Sequence, residues 1–317
     1  RGVFAEDSPG MKEALREELQ RLMGEDILFD EPLSRHTSMG VGGAAQALAF
    51  PGNREQLRDL LSLLGRQNIP YVPVGNWTNL IVRDGGFRGV IIGLKHLHDC
   101  KLSRDPAGEY FLQADAGASL SALVNLSAAA GMTGLEFCAG IPGSVGGAVI
   151  MNAGAYGREI KDALAELMLM DARGKVRNWP HGQLQFEYRR FILPEKGAVI
   201  LAATFRLSRG DKEMVREGIA AIRSMRKEKH PLEYRSAGSV FKNPQGQPAG
   251  KIIDELGLKG LRIGGAKVSE KHGNFIVNTG EAKARDVLDL IRIIQEKVLR
   301  ERGIHLETEV IIIGAEL

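Results

Sequence analysis

The most informative segment of the chain reads Phe137-Cys138-Ala139-Gly140-Ile141-Pro142-Gly143-Ser144-Val145-Gly146-Gly147-Ala148-Val149-Ile150-Met151-Asn152-Ala153-Gly154-Ala155-Tyr156-Gly157. It is too rich in glycine for a good helix interior and too apolar for a linker. Its glycines let the backbone take positive φ and approach another surface closely. Ser144 and Asn152 add short polar groups. Successive amides in such a loop can line a concave nest for an anion, diphosphate being the usual occupant. A packed glycine-rich turn would account for a short match; this run is longer and is punctuated by polar residues.

Before this loop, residues 110–117 read as a strand, residues 119–130 as a helix and Gly131-Met132-Thr133-Gly134 as its break. Earlier still, Asn53 can cap a helix with Gln56 in the capping-box position, and Leu57, Leu60, Leu61 and Leu64 form its buried face. Strands are expected at residues 69–74 and 87–94, with Gly75-Asn76-Trp77-Thr78-Asn79 as a tight turn. This is a βαβ pattern with a polar turn after a strand, where open α/β sheets bind ligands. Residues 35–43 are a polar turn leading into a strand at 44–50; His36 there suits either a hydrogen-bonded loop histidine or a ligand contact. Residues 11–23 carry Met11, Leu15, Leu19 and Leu22 at the spacing of an amphipathic surface helix.

After the loop, residues 163–170 and 199–206 read as strands, with Gly174 in a hairpin turn. Residues 211–229 form a helix with Val215, Ile219 and Ile222 on one face, closed by His230-Pro231. Then come a turn-rich run at 235–244, a short helix at 248–256, a turn at Gly264-Gly265 and a strand at 274–278. A long helix at 281–302 stops at Gly303, and residues 305–313 make a final strand. The uneven alternation predicts an α+β fold: an N-terminal helix and tail (1–28), a two-lobed domain (29–208, lobes about 29–95 and 96–208) and a C-terminal domain (209–317).

The 317 residues suffice for two or three domains; 44% are hydrophobic and 26% charged, ordinary for a soluble globular protein. Forty-two basic and 39 acidic residues give a net charge of +3, with the signs interspersed. That leaves no basic stripe for nucleic acid and no polybasic tail for a membrane. Cys100 and Cys138 are too few for a disulfide framework or a cysteine-rich metal site, so no metal is expected and a reducing cytoplasm is. Neither a membrane-length apolar run nor a signal-peptide pattern is seen.

Three shorter segments could carry chemistry. In Phe186-Glu187-Tyr188-Arg189-Arg190 an arginine could clamp a carboxylate, or the segment could be a solvated strand end. In Gly238-Ser239-Val240-Phe241-Lys242-Asn243-Pro244 a serine stands near a lysine and an asparagine; without a G-x-S-x-G elbow it is not a hydrolase nucleophile, and a capping serine is the plain alternative. In Leu306-Glu307-Thr308-Glu309-Val310, strand periodicity puts Glu307 and Glu309 on one face.

Taken in this order, the glycine-rich loop, Tyr188-Arg189, residues 237–244, residues 249–265 and Glu309-Val310-Ile311-Ile312-Ile313-Gly314 resemble the UDP-N-acetylenolpyruvoylglucosamine reductases, also called UDP-N-acetylmuramate dehydrogenases, in their shorter subtype. The resemblance runs from about His36-Thr37 to Ile313-Gly314. It implies a cytoplasmic oxidoreductase of peptidoglycan synthesis, a flavoprotein acting as a monomer, with a two-lobed FAD-binding domain of the vanillyl-alcohol oxidase-like type followed by a smaller α/β substrate domain. NADPH would reduce bound FAD before UDP-N-acetylglucosamine enolpyruvate enters the same cleft and is reduced to UDP-N-acetylmuramate. The cofactor-binding residues implied are Gly75, Asn76, Thr78, Asn79, Leu80, Gly140, Ile141, Pro142, Gly143, Ser144, Gly146, Gly147, Asn152, Ala153 and Gly154. Arg189 would supply positive charge at the enolpyruvyl carboxylate, Glu309 would sit beside it protonated, and Ser239 would donate a proton to carbon. Tyr188, Lys229, Asn243, Lys259 and His272 would bind substrate, the last four near the diphosphate and sugar.

Two departures stand out. Trp77 occupies a turn position where the family has glycine, and Phe191 stands where a serine follows the catalytic arginine by two residues. The alternatives are a flavin oxidase of the same fold, which would lack the Ser239 and Glu309 segments, and a non-catalytic nucleotide-sugar binder, which need not keep Arg189, Ser239 and Glu309 together.

Overall fold

The computed structural model describes residues 11–244 and 246–316. The expected N-terminal tail lies largely outside them; the amphipathic helix is Glu13–Met23, burying Leu15, Leu19 and Met23. The first lobe is a four-stranded sheet in the order Ile27–Pro32, Ala44–Ala49, Phe87–Gly93, Tyr71–Val74. Its outermost pair is antiparallel and the other two are parallel. The helix Arg54–Arg66 is the crossover between Ala44–Ala49 and Tyr71–Val74. Asn53 Oδ1 accepts from the Gln56 amide, while the Gln56 side chain accepts from the amide of Gly52, one residue before the box position.

The second lobe is an antiparallel sheet ordered Val176–Pro180, Leu164–Met170, Val199–Arg209, Tyr110–Asp115, Cys100–Arg104, with Met132–Thr133 pairing the far end of Val199–Arg209. Leu57, Leu60 and Leu64 of the first lobe share one apolar cluster with Leu112, Leu123, Val145, Leu201 and Phe205 of the second, so a common core fixes the two lobes together. The third lobe is an antiparallel sheet, Arg235–Ser239, Phe275–Asn278, Ala266–Val268, Arg262–Ile263, covered by the helices Ala249–Glu255 and Ala284–Arg302. Its core also takes in Met39, Val41 and Ile81.

Several elements differ from the sequence reading. The glycine-rich run is not loop throughout: Val145–Ile150 is helical, capped by Ser144 Oγ on the Gly147 amide, and burial of Val145, Ala148 and Val149 outweighs the poor propensity of Gly146-Gly147. The turn-rich 235–244 contains a strand, Arg235–Ser239. The last strand shrinks to Ile311–Ile313, which leaves its own lobe to pair in parallel with Leu80–Val82 of the first. The helix expected from 281 begins at Ala284, where the Asp84 carboxylate accepts from the amides of Ala284 and Arg285. Among the described residues no helix is long and apolar enough to cross a membrane, and no group of three or more His, Cys, Asp or Glu side chains could hold a metal.

Candidate active site

The turn after Tyr71–Val74 meets the glycine-rich loop. A Cβ on Gly75 would lie 1.8 Å from Ser144 Oγ and 2.8 Å from Ser144 Cβ, so no larger residue fits while the two segments stay this close. Thr78 Oγ1 donates to the Pro142 carbonyl at 3.1 Å. Asn79 ties the same turn to the third lobe: its Nδ2 donates to the Glu309 carbonyl at 3.1 Å, and its own carbonyl accepts from the Ile311 amide. Leu80 is buried in the first lobe's core, so its side chain is not available to a ligand. Trp77 stands at φ +56 with its ring 5.5 Å from that of His36, and His36 Nε2 lies 2.9 Å from Glu31 Oε1. His36 is thus a hydrogen-bonded loop histidine. Phe191, the second departure, is a core residue, stacked 4.8 Å from Phe186.

Arg189 lies in the two-residue turn between Gln185–Glu187 and Arg190–Ile192, at φ +57. Its side chain is only 16% exposed. Nη2 donates to the Gly154 carbonyl at 2.9 Å, Nε lies 3.3 Å from Glu309 Oε1, and Nη1 lies 3.6 Å from Glu159 Oε1. The guanidinium also sits 4.9 Å from the centre of the Tyr188 ring. Gly154 is required at its position, since a Cβ there would come within 2.5 Å of the Arg158 carbonyl and 3.1 Å of Arg189 Nη1.

Burial pushes the Glu309 carboxyl above the usual carboxylate range, against the opposing pull of Arg189 and Lys242. Glu309 therefore meets the guanidinium biased towards its neutral form, although the distance alone would pass for a salt bridge. Glu307 has another fate: it is exposed and pairs with Lys242 at 3.1 Å. The paired-face reading of the two glutamates is corrected here, because residues 305–310 are not a regular strand.

Ser239 ends the strand Arg235–Ser239 just after a break in register at Ala237-Gly238, where Gly238 takes φ +79. Irregularities of this kind re-aim side chains beside active sites. The Glu309 amide donates to the Val240 carbonyl at 2.7 Å, which places Ser239 one residue from the docking point of Glu309. Thus Glu309, about 120 residues beyond Arg189 in sequence, meets it through its side chain and meets the Ser239-Val240 segment through its backbone.

The predicted substrate residues fall into two groups. Tyr188 and Asn243 line an open depression of about 580 Å³ with Pro244, Gly246, Gln247 and Pro248. Asn243 Oδ1 also accepts from the Ala249 amide at 2.9 Å, tying that loop to the following helix. His272 packs edge-on to His230 at 5.6 Å and to Phe275 at 4.9 Å. Burial first, then the charges of Lys259 and Lys229, hold His272 below its ordinary pKa. Lys229 and Lys259 thus supply positive charge near His272, whose own imidazole is held towards its neutral form. Lys259 Nζ bonds Asp254 Oδ2 at 2.6 Å.

One assigned residue is used otherwise. Asn152 is 0% exposed; Nδ2 donates to Glu159 Oε2 and to the Glu187 carbonyl, and Oδ1 accepts from the Lys161 amide. Both N–H bonds of its carboxamide are spent inside the protein, so the side chain does not serve a cofactor.

Arg226 was not apparent from local motifs. Its Nε is buried without a hydrogen-bond partner, and its Cδ lies 2.8 Å from where a Cβ on Gly140 would be. A buried unpaired donor against the glycine-rich loop fits an anionic ligand group. The signal was present in the helix Lys212–Lys229: Arg226 continues the apolar stripe of Val215 and Ile219, which are buried, and Ile222, which is half-buried, where a charge is out of place.

Two closely apposed turns, an unpaired donor beside them and a two-lobed α+β scaffold suit a dinucleotide cofactor lying between the lobes. Residues 45–179 match the family described as FAD binding domain, so the class is a flavin-binding oxidoreductase. Residues 230–313 match the family described as UDP-N-acetylenolpyruvoylglucosamine reductase, C-terminal domain. The UDP-N-acetylenolpyruvoylglucosamine reductase of Syntrophus aciditrophicus (strain SB) is 49% identical over 302 residues, covering 95% of this chain and 96% of that one. That of Caldanaerobacter subterraneus subsp. tengcongensis is 43% identical over 305 residues, covering 96% and 99%. The crystal structure of the Thermus caldophilus enzyme superposes with a TM-score of 0.75 at 38% identity, over 90% of this chain and 97% of that one. The chain belongs to the UDP-N-acetylenolpyruvoylglucosamine reductase family.

Proposed function

We propose that this chain is the NADPH-dependent flavoenzyme that reduces the enolpyruvyl group of UDP-N-acetylglucosamine enolpyruvate to UDP-N-acetylmuramate. It thereby serves peptidoglycan synthesis, cell-wall biogenesis, cell shape and cell division. The observation that carries the reading is Arg189 beside a glutamate, Glu309, whose burial favours the neutral form.

Gly75, Asn76, Thr78 and Asn79, the backbone of Leu80, the loop residues Gly140, Ile141, Pro142, Gly143, Ser144, Gly146 and Gly147, the Ala153-Gly154 backbone and Arg226 would hold FAD. FAD, when bound, supplies the hydride that NADPH delivered to it. Addition of hydride to the outer enolpyruvyl carbon pushes negative charge onto the adjoining carboxylate. Arg189 keeps terminal N–H groups free for that carboxylate, and losing one preorganised donor of this kind costs ~10²–10³ in rate. A neutral Glu309 avoids repelling the developing charge. Ser239 gives a proton to the adjacent carbon. Tyr188, next to Arg189 in the chain, and Asn243 line the open depression, which suits the substrate, and Lys229 and Lys259, which act on His272, suit the diphosphate.

As part of this reading the enzyme is a cytoplasmic monomer working without nucleic acid or membrane; the interspersed charges of the sequence support the last two points. Residues 29–208 carry the cofactor and residues 209–317 the substrate, with Ile311–Ile313 crossing back to the first lobe.

Anaerobic titration tests the reading. NADPH should bleach the flavin, and UDP-N-acetylglucosamine enolpyruvate should restore it. Recovery only on admitting oxygen would favour the oxidase; no flavin, even after reconstitution with FAD, would favour the nucleotide-sugar binder.

A further inference from the structure

A second carboxylate, not singled out by any motif, faces the Arg189 guanidinium. Glu159 Oε1 lies 3.6 Å from Nη1, on the opposite nitrogen edge from Glu309 at Nε. Glu159 is itself tightly held. Asn152 Nδ2 donates to Oε2 at 2.9 Å, Lys161 Nζ lies 2.9 Å from the same oxygen, and the Glu159 amide donates to Asp162 Oδ2 at 2.7 Å. The other N–H of the buried Asn152 amide goes to the carbonyl of Glu187, in the hairpin that carries Arg189. One carboxamide thus spans both the carboxylate and the arginine's turn. Asn152 at φ +39 and Arg189 at φ +57 are non-glycine residues in left-handed backbone, a strain that persists only where surroundings hold it.

We propose that Glu159, locked by Asn152, is a positioning residue that sets the Arg189 guanidinium for the substrate carboxylate. Without it the guanidinium keeps the Gly154 carbonyl, Glu309 and the face of Tyr188, and loses its one contact on the Nη1 edge. The proposal rests on Arg189 being the group that meets the enolpyruvyl carboxylate. It gives the Asn152–Glu159 pair a part in substrate binding through Arg189, with neither residue touching the substrate.

Glu159→Gln is the test. It keeps the side chain's volume but puts an N–H opposite a donor, either Arg189 Nη1 at one oxygen position or Asn152 Nδ2 and Lys161 Nζ at the other. In the holoenzyme, stopped-flow should show the enolpyruvyl half-reaction slowed by ~10²-fold, with the NADPH half-reaction within about twofold of wild type. Calorimetry should show enolpyruvyl-substrate affinity falling about tenfold, with UDP-N-acetylglucosamine, which lacks the carboxylate, bound as before. Glu159→Asp, which withdraws the carboxylate by one methylene, should give the same pattern more weakly. In an Arg189→Lys background the Gln change should have no further effect, because the two act as one unit. Equal slowing of both half-reactions, wild-type behaviour of both variants, or an undiminished effect in the Arg189→Lys background would overturn the proposal. If the unsubstituted chain fails to reduce the enolpyruvyl group, the functional reading falls and takes the proposal with it.

Discussion

Replacing Gly75 by alanine probes the contact on which the cofactor cradle depends. The added methyl would begin 1.8 Å from Ser144 Oγ and 2.8 Å from Ser144 Cβ, and Ser144 is 1% exposed. Rotating the Ser144 hydroxyl away removes the first clash, but it frees the Gly147 amide that Oγ caps at 3.3 Å. A lost serine cap costs about 1 kcal/mol. The second clash is with a Cβ, which no rotamer moves, so the turn or the loop must shift; overpacking of this kind costs ~1–3 kcal/mol. Gly75→Ala should therefore destabilise by roughly 2–4 kcal/mol. In a Ser144→Ala background, where the cap is already gone and the closest atom deleted, the same change should cost only ~1–3 kcal/mol. Urea unfolding of the four proteins of this cycle, followed by two spectroscopic probes, reads the coupling. FAD titration by fluorescence quenching should show the affinity of Gly75→Ala falling more than that of Ser144→Ala. A Gly75→Ala protein as stable as wild type, or equal costs in both backgrounds, would refute the claim that the two turns are in contact here.

Glu309 makes a pH prediction. Its folded pKa is raised, so its stabilising contribution is present at low pH and is lost as pH rises through that value. The enolpyruvyl half-reaction should accordingly fall on the alkaline side, and Glu309→Gln, which stays neutral, should abolish that fall; an unchanged profile would argue against a neutral Glu309. His230 has the opposite sign: burial, then Arg226, His272, Lys271 and Lys229, lower it from 6.5 to about 4. Stability should be full above pH 6.5 and decline towards about pH 4, less steeply in His230→Gln, as urea midpoints across that range would show. Trp77 at φ +56 reverses a usual order: Trp77→Gly should be more stable than Trp77→Ala by about 1 kcal/mol, since only glycine relieves the left-handed backbone. Equal stabilities would mean that the turn relaxes without cost.

Local pattern carried the helices well. Lys212–Lys229 and Ala284–Arg302 were visible because an apolar stripe at helical spacing is set by the element's own residues. The pattern failed where the deciding partner is far along the chain. Val145–Ile150 is helical because its apolar side is buried, despite two glycines in its first turns. The start of Ala284–Arg302 is fixed by Asp84, 200 residues earlier. The strand Ile311–Ile313 pairs outside its own lobe, so its true length could not be read from the alternation around it.

The candidate site divides along the same line. The groups available to the site are legible along the chain: a glycine-rich run able to cradle diphosphate, an arginine able to hold a carboxylate, a serine, and a glutamate before the last strand. These are properties of residue types and short spacings. Folding is what turns Asn152 inward to Glu159, buries the Arg226 Nε without a partner against the loop, and leaves Glu307 exposed while Glu309 is buried beside Arg189. A side chain's charge state and orientation are set by what surrounds it, and here those surroundings come from three lobes that meet only when the chain is folded.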